Sequence, residues 1–400
     1  MKTICIAGKN DIAVDILSFC RENFRDYRLV CVLNKSDIGE NSWQKSLKWF
    51  AGKWNIEILS IEQVYAIKDL VFISTEFDMI VKTSDFLTTQ LFNIHFSMLP
   101  KYKGCGTSVW PILNGDTYSG VTLHVIRDGI DTGEIIEQRQ ISIDEDDNSL
   151  KLYKKMIAAG TSLVIDNLKD LISGKYNCYP QSGNGSTYYG SRDIDYSGIA
   201  LDVKRTAFQI KQQVKGYAFR PYQLLQWRDE RYFDAFITED VSTQKPGYII
   251  EDNKVYTKIA TIDYNVVLYK DVLDELLFSI CVRDNDTAKL LCKSKSIVNE
   301  QNKKGWTPLT VAVYNNNFEM VNYLVKNGSD INVLNNNGTN LLMYAKDCYM
   351  NTGDATIFDF LIKYGLDPYK KDYREKSLYD YCMEAGIDRI GELCFEKVEA

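Results

Sequence analysis

The segment Phe92-Asn93-Ile94-His95-Phe96-Ser97-Met98-Leu99-Pro100-Lys101-Tyr102-Lys103-Gly104 sets an amide and an imidazole two residues apart. On a strand, residues two apart face the same side, so Asn93 and His95 project together. Proline and glycine then turn the chain away, which leaves both groups near the carboxyl edge, where α/β sheets bind ligands. A third group comes from the polar loop Arg127-Asp128-Gly129-Ile130-Asp131-Thr132-Gly133, which follows the apolar run Val121-Thr122-Leu123-His124-Val125-Ile126. Asp131, flanked by glycines, can be held close to an imidazole. An amide can donate a hydrogen to a developing oxyanion. An imidazole with an ordinary pKa near 6.5 can stabilise that charge as imidazolium or shuttle a proton. A carboxylate can orient the ring and favour its charged form, or relay the proton through water. The residues leave both proton paths open. Their neighbours read otherwise: His124 as a buried, hydrogen-bonded residue, Asp128 as a turn former, and Asp144-Glu145-Asp146-Asp147 as a solvated acidic turn ahead of a helix N-terminus.

The elements that must carry these groups follow from hydrophobic periodicity. Ile4-Cys5-Ile6-Ala7, Leu29-Val30-Cys31-Val32-Leu33, Leu70-Val71-Phe72-Ile73-Ser74 and Met79-Ile80-Val81 read as strands, with an amphipathic helix carrying Ile12, Val14, Ile16 and Leu17 after the first. Strands separated by helical patterns predict a doubly wound α/β domain with a mostly parallel sheet. Residues 150–172 predict a long helix, capped by Asn148 or Ser149 and stopped at Gly174. Residues 175–190 are rich in turn formers and suit a linker. One helix near 202–215 and strands at 246–250, 255–259 and 266–269 predict a small β-rich domain. Gly305-Trp306-Thr307-Pro308-Leu309 returns as Gly338-Thr339-Asn340-Leu341, 338 − 305 = 33 residues later. With Val321-Asn322-Tyr323-Leu324-Val325-Lys326-Asn327-Gly328 between them and Phe358-Asp359-Phe360-Leu361-Ile362-Lys363-Tyr364-Gly365 beyond, this period resembles ankyrin repeats, whose helix pairs share a stacked core. A degenerate unit before Gly305 and a truncated one after Asp372 cap the array. The expected domains are 1–178 (α/β, Rossmann-like), 179–270 (linker and small β-rich domain) and 271–400 (all-α repeats).

Composition narrows the partners. With 400 residues, 45% hydrophobic and 25% charged, the chain reads as multidomain globular protein. A net charge of −7 and a pI near 5.2 argue against a large nucleic-acid footprint, though not against a local basic pocket for one phosphorylated molecule. The N-terminal apolar run is too short for a signal peptide, and no stretch of about eighteen apolar residues predicts a membrane span. Ten scattered cysteines without C-x-x-C pairs read as reduced thiols of a cytoplasmic protein. With two histidines, neither near paired cysteines, no metal site is expected.

The pattern Asn93-x-His95-x-Ser97-x-Leu99-Pro100-x-x-x-Gly104, followed downstream by Asp128-Gly129-Ile130-Asp131-Thr132-Gly133, resembles the signature of formyltransferases that use 10-formyltetrahydrofolate. The likeness is close over about residues 70–160 and looser over the first strands and the segment near 246–269. It implies Asn93, His95 and Asp131 as catalytic residues, 10-formyltetrahydrofolate as co-substrate, and no metal. A neutral amine would attack the formyl carbon, with Asn93 donating to the oxyanion; losing one such donor costs on the order of 3 kcal/mol. The pterin is expected against backbone between Phe77 and Phe86 and the strand of Asn93.

The resemblance leaves three acceptor classes. Initiator methionyl-tRNA would need an extended basic surface, which this acidic chain lacks, and the enzymes acting on a purine-pathway ribonucleotide resemble a single domain. A dTDP-linked amino-dideoxy sugar for surface polysaccharide remains, with the methionyl-tRNA type and an inactive ankyrin scaffold as alternatives. A hydrolase releasing formate is disfavoured, since it resembles a chain with a regulatory domain at the other end. Tyr217, Phe219, Arg220 and Tyr222 supply ring faces for a base and a cation for pyrophosphate, with Tyr188 and Tyr189 as weaker candidates. Lys9 and Asn10, after the first strand, can approach phosphate or sugar at a helix N-terminus. The repeats imply a protein or oligomer contact, or a second ligand site on Trp306, Tyr314 and Tyr344, and a homodimer is expected.

Overall fold

The computed structural model describes residues 1–386. The chain divides into two compact units, the first of residues 1–250 and 258–268, the second of 251–257 and the residues from 269 onward. The last part of the expected repeat region, 387–400, lies outside the described residues.

The first unit opens with β1 (Thr3–Gly8), α1 (Asn10–Asn23), β2 (Arg28–Leu33), α2 (Leu47–Lys53), β3 (Glu57–Ile58), α3 (Ile61–Tyr65), β4 (Leu70–Thr75) and β5 (Leu91–His95). It continues with β6 (Lys103–Gly104), α4 (Trp110–Leu113), β7 (Tyr118–Val125), β8 (Ile135–Ser142), α5 (Ser149–Ser173), β9 (Tyr188–Tyr189) and α6 (Ala207–Tyr217). Seven strands form one sheet in the order β3-β2-β1-β4-β5-β7-β8. β1, β2, β3, β4 and β5 pair parallel, whereas β7 and β8 add antiparallel beyond β5. Every residue of β1 and β4 is buried, as central parallel strands covered on both faces must be. Helix α1 buries Ile12, Ile16 and Leu17, and α5 packs on it while burying Leu152, Met156, Leu163 and Val164. The caps of α5 are those expected from sequence: the Asn148 side chain accepts from the Lys151 N–H, and Gly174 ends the helix at φ 72°.

Two expectations need correction. Met79-Ile80-Val81 is not a strand; Met79 and Ile80 are exposed, and β5 takes the place beside β4. Glu76 turns out of β4 at φ 54°, and Asp78 is held by accepting from the Lys35 N–H while donating its own N–H to Asn34, so the segment is a tethered loop. The helix expected near 202–215 starts at Ala207, because Thr206 and Gln209 form a capping box.

The β-rich part contains β10 (Leu225–Trp227), β11 (Glu230–Val241), β12 (Ile249–Asp252), β13 (Tyr256–Ile259) and β14 (Tyr264–Lys270), in sheet order β10-β11-β14-β13-β12. Its core joins Leu225, Tyr232, Ile259, Val266 and Leu268 to Ile210 and Val214 of α6.

The second unit stacks α7 (Leu273–Cys281), α8 (Asn285–Leu291), α9 (Pro308–Tyr314), α10 (Phe318–Lys326), α11 (Leu341–Thr352), α12 (Thr356–Lys363) and α13 (Leu378–Ala385). Thr307 and Asn340, 33 residues apart (340 − 307), cap α9 and α11 in the same way, each side chain accepting from the N–H three residues on. Neighbouring repeats are tied by Gln301, which donates to the Gly305 and Leu334 carbonyls, and by Asn336, which donates to the Lys303 carbonyl. Among the described residues no helix is long and apolar enough to cross a membrane, no group of His, Cys, Asp or Glu could hold a metal ion, and the nine described cysteines are free thiols.

Candidate active site

Asn93 and His95 end β5 with one residue between them, and β7 runs antiparallel beside them with Asn93 opposite His124 and His95 opposite Thr122. The turn after β5 is stitched by side chains. Ser97 Oγ donates to the Lys101 carbonyl, Thr122 Oγ1 donates to the Ser97 carbonyl and accepts from the Leu99 N–H, and the Leu99–Pro100 peptide is cis. This turn brings the Tyr102 carbonyl to 2.8 Å from His95 Nε2. A carbonyl can only accept, so Nε2 carries a hydrogen and the second ring nitrogen, Nδ1, faces Asp131 Oδ1 at 3.4 Å. The other carboxylate oxygen, Oδ2, accepts from the Gly104 N–H at 2.8 Å. Both side chains are close to buried, His95 at 9% and Asp131 at 12% exposure. The three residues expected from sequence therefore meet.

A fourth residue joins them. His124 Nδ1 lies 2.9 Å from the Val125 carbonyl and must donate to it, which leaves Nε2 as an acceptor for the Asn93 amide at 3.0 Å. Burial, above all, pushes the His124 pKa down to about 4, so the ring is neutral and keeps that lone pair. Asn93 then has one amide hydrogen committed to His124 and a second to offer. His124 was legible as a buried, hydrogen-bonded residue; its choice of partner came only from the antiparallel register of β5 and β7.

The loop of Asp131 is fixed from outside the sheet. Asp131 has φ 52°, in the left-handed region, and Gln181 Nε2 donates to the carbonyls of both Asp131 and Gly133 at 2.8 Å. A Cβ on Gly133 would lie 1.6 Å from the Val125 carbonyl oxygen, and one on Gly104 would lie 2.2 Å from that of Tyr189, so both close approaches require glycine. β9 pairs with β6, and Tyr189 stacks on Trp110 at 4.0 Å. The stretch expected to be a linker thus clamps the loops that carry the site. Asp128 takes the turn role expected of it, accepting from the N–H and hydroxyl of Thr83.

Beside these groups lies a cavity of about 530 Å³. Asn93, His95 and Asp131 are not in its lining, but Phe96, the residue after His95, and Gly106, two after Gly104, are. Of the residues expected to bind substrate, Lys9, Asn10, Phe219 and Tyr222 line it. Tyr217 packs instead against the core of the β-rich part, and the Arg220 guanidinium lies 5.7 Å from the centre of the Phe233 ring. Trp43, Glu76 and Tyr153 were not foreseen. The Trp43 ring meets those of Tyr153, Phe219 and Tyr222 edge-on or tilted at 5.4–5.8 Å, and Phe219 stacks on Tyr222 at 5.3 Å. Tyr153 lies on α5, where its spacing reads as core, and Trp43 lies in a loop with no periodicity. Glu76 did leave a signal, as a lone acid directly after the buried strand β4. In the second unit, Trp306, Tyr314 and Tyr344 come together with ring centres 5.4–6.0 Å apart.

Comparisons with known proteins agree with this architecture. Residues 80–168 match the formyl transferase family, and residues 276–372 match ankyrin repeats in three copies. An N-formyltransferase from Helicobacter canadensis, solved with folinic acid and dTDP-3-aminofucose, is 37% identical; the likeness covers 68% of this chain and 100% of that one, with a TM-score of 0.62. WlaRD, a sugar 3N-formyltransferase solved in the presence of dTDP and 5-N-formyl-THF, is 38% identical over 68% of this chain and 98% of that one, with a TM-score of 0.63. The methionyl-tRNA formyltransferase of Lactiplantibacillus plantarum is 29% identical over 179 residues, 44% of this chain and 56% of that protein. The chain thus spans little more than half the length of the curated relatives it matches.

Proposed function

This chain belongs to the N-formyltransferase family, and on that premise we propose that it moves a formyl group from 10-formyltetrahydrofolate to the amino group of a dTDP-linked amino-dideoxy sugar. The observation that carries the reading is the meeting of Asn93, His95 and Asp131 beside a cavity walled by Lys9, Asn10, Phe219 and Tyr222. The sugar 3N-formyltransferase likeness covers 68% of this chain, whereas that to the methionyl-tRNA formyltransferase of Lactiplantibacillus plantarum covers 44%. The acid balance of the chain also speaks against a tRNA substrate.

The folate fits the loop after β4. Met79, Ile80 and Leu87 are exposed there, offering apolar surface to a flat ring, and Thr83 ties the loop to that of Asp131 through Asp128. When bound, the donor supplies the formyl carbon as electrophile. The second amide hydrogen of Asn93 is available to the developing oxyanion, and His124 keeps that amide oriented. His95 already donates through Nε2, so its ring takes a proton only at Nδ1, across the gap from Asp131 Oδ1. Proton transfer from the amine therefore leads into the pair formed by Nδ1 and that carboxylate. Lys9 serves the diphosphate, and the rings of Phe219 and Tyr222 serve the base.

Residues 1–178 do the chemistry in this reading, 179–270 bind substrate and mediate a homodimer, and 271–400 hold a partner or a second ligand at Trp306, Tyr314 and Tyr344. The setting is the cytoplasm and the pathway surface polysaccharide, which free thiols and a nucleotide-sugar substrate support. Incubation with 10-formyltetrahydrofolate and a panel of dTDP-amino sugars tests the reading: an N-formylated sugar is the expected product. No product across the panel favours the inactive scaffold, and formate release without acceptor favours the hydrolase.

A further inference from the structure

The wall of the cavity contains a carboxylate that the reaction does not use. Glu76 directly follows β4, and its Oε2 accepts two hydrogen bonds, from Asn10 Nδ2 at 3.1 Å and the Tyr153 hydroxyl at 2.7 Å. Tyr153 and Asn10 are themselves bonded at 2.9 Å, so the three groups form a closed triangle in the lining of the cavity. The Asn34 amide holds the Glu76 carbonyl at 2.8 Å, which fixes the backbone at its φ of 54°. Among the described residues, both hydrogen bonds to this carboxylate go to Oε2, none goes to Oε1, and Glu76 lines the cavity. The residue is half-buried, and burial raises the pKa of this group despite its two donors and the nearby Lys9. A ligand that brings a hydroxyl would complete it.

Three classes of ligand group can be weighed against that oxygen. A diphosphate would be repelled by it. An amine held there would be stabilised as ammonium, the form that cannot attack a carbonyl. A sugar hydroxyl donates without changing charge, and the rings of Trp43 and Tyr153, 5.8 Å apart in the cavity lining, offer apolar surface for the C–H side of a pyranose, leaving Phe219 and Tyr222 to the base. The topology puts the group near the reacting centre: β4 and β5 run parallel with Thr75 opposite Ile94, and Glu76 turns out of the sheet directly after Thr75, beside the strand that ends in His95. On the amino-sugar reading, a sugar whose amine is at the reacting centre extends past Phe96 into the cavity that Glu76 also lines.

We propose that Glu76, oriented by Asn10 and Tyr153, is the specificity-determining residue of the cavity and selects amino sugars by accepting a hydrogen bond from one ring hydroxyl. This rests on the amino-sugar reading of the same site. It is tested with dTDP-amino sugars lacking one ring hydroxyl at a time, measuring kcat/KM for formyl transfer and, without the folate donor, the dissociation constant of each compound. In the natural chain, one deoxygenated analogue is expected to lose roughly 10- to 100-fold in both quantities, as for a hydrogen bond to a charged group. In Glu76→Gln, and in Tyr153→Phe with its weakened hold on the carboxylate, that penalty shrinks while the others stay unchanged. Equal penalties in the natural chain and in Glu76→Gln overturn the proposal, as does failure of every compound to bind. Binding with the expected pattern but without turnover supports the role of Glu76 and overturns the formyl-transfer reading instead.

Discussion

Asn93 holds one hydrogen bond to a neutral histidine and has a second amide hydrogen that the proposed reaction uses, so its proposed contribution depends on His124 as much as on its own side chain. Replacing His124 by Gln is expected to lower kcat about 10-fold with little change in KM, since positioning rather than binding is lost. The same histidine makes stability depend on pH. Its pKa is about 4 in the folded chain against an ordinary 6.5, so between those values the unfolded chain binds the extra proton. The stabilising contribution is complete above about pH 6.5 and is lost as the pH falls toward 4, at about 1.4 kcal/mol per pH unit for this one group. Urea melts on both sides of that window measure it, and in His124→Gln this part of the slope should vanish; an unchanged slope would show that other groups carry it.

At the scale of elements, the site depends on a segment that carries no catalytic group. Gln181 holds the carbonyls of Asp131 and Gly133, and β9 clamps β6, whose Gly104 N–H binds the Asp131 carboxylate. Gln181→Ala is expected to cost roughly 10- to 100-fold in kcat and to speed amide hydrogen exchange across residues 127–134. Normal exchange with normal kcat would show that the loop keeps its shape unaided. The meeting of the three proposed catalytic residues was legible because its signals are local: alternation on β5 brings out Asn93 and His95, and glycines bracket Asp131. The clamp was not, because residues 175–190 announce only turns, and their pairing partners lie far upstream in the chain. Long-range pairing also explains β11, whose acidic residues hide a strand, and Met79-Ile80-Val81, whose three apolar residues mimic one. Helix α5 and the repeats were read well because their signals, caps and a 33-residue period, lie within the sequence that forms them.

For the whole molecule, the second unit repeats in miniature what the cavity does with rings. Trp306, Tyr314 and Tyr344 meet, and Asn335 donates to the Tyr344 hydroxyl at 2.7 Å, holding one wall of the group. If this is a second nucleotide site, calorimetric titration of the full chain with dTDP shows two classes of site, and Trp306→Ala abolishes one or weakens it about 10- to 100-fold, the worth of a ring stacked on a base. A single class of site, unaltered by the substitution, would leave the repeats to a protein partner. The proposed mechanism of formyl transfer requires Asn93, His95 and Asp131 to act as one reacting centre. The most direct test is the single-turnover rate with saturating 10-formyltetrahydrofolate and a dTDP-amino sugar in Asn93→Ala, His95→Ala and Asp131→Asn. Each is predicted to lose on the order of 10²- to 10⁴-fold, with the double variants losing far less than the product of the singles. Near-native rates in any one of the three would contradict a shared centre.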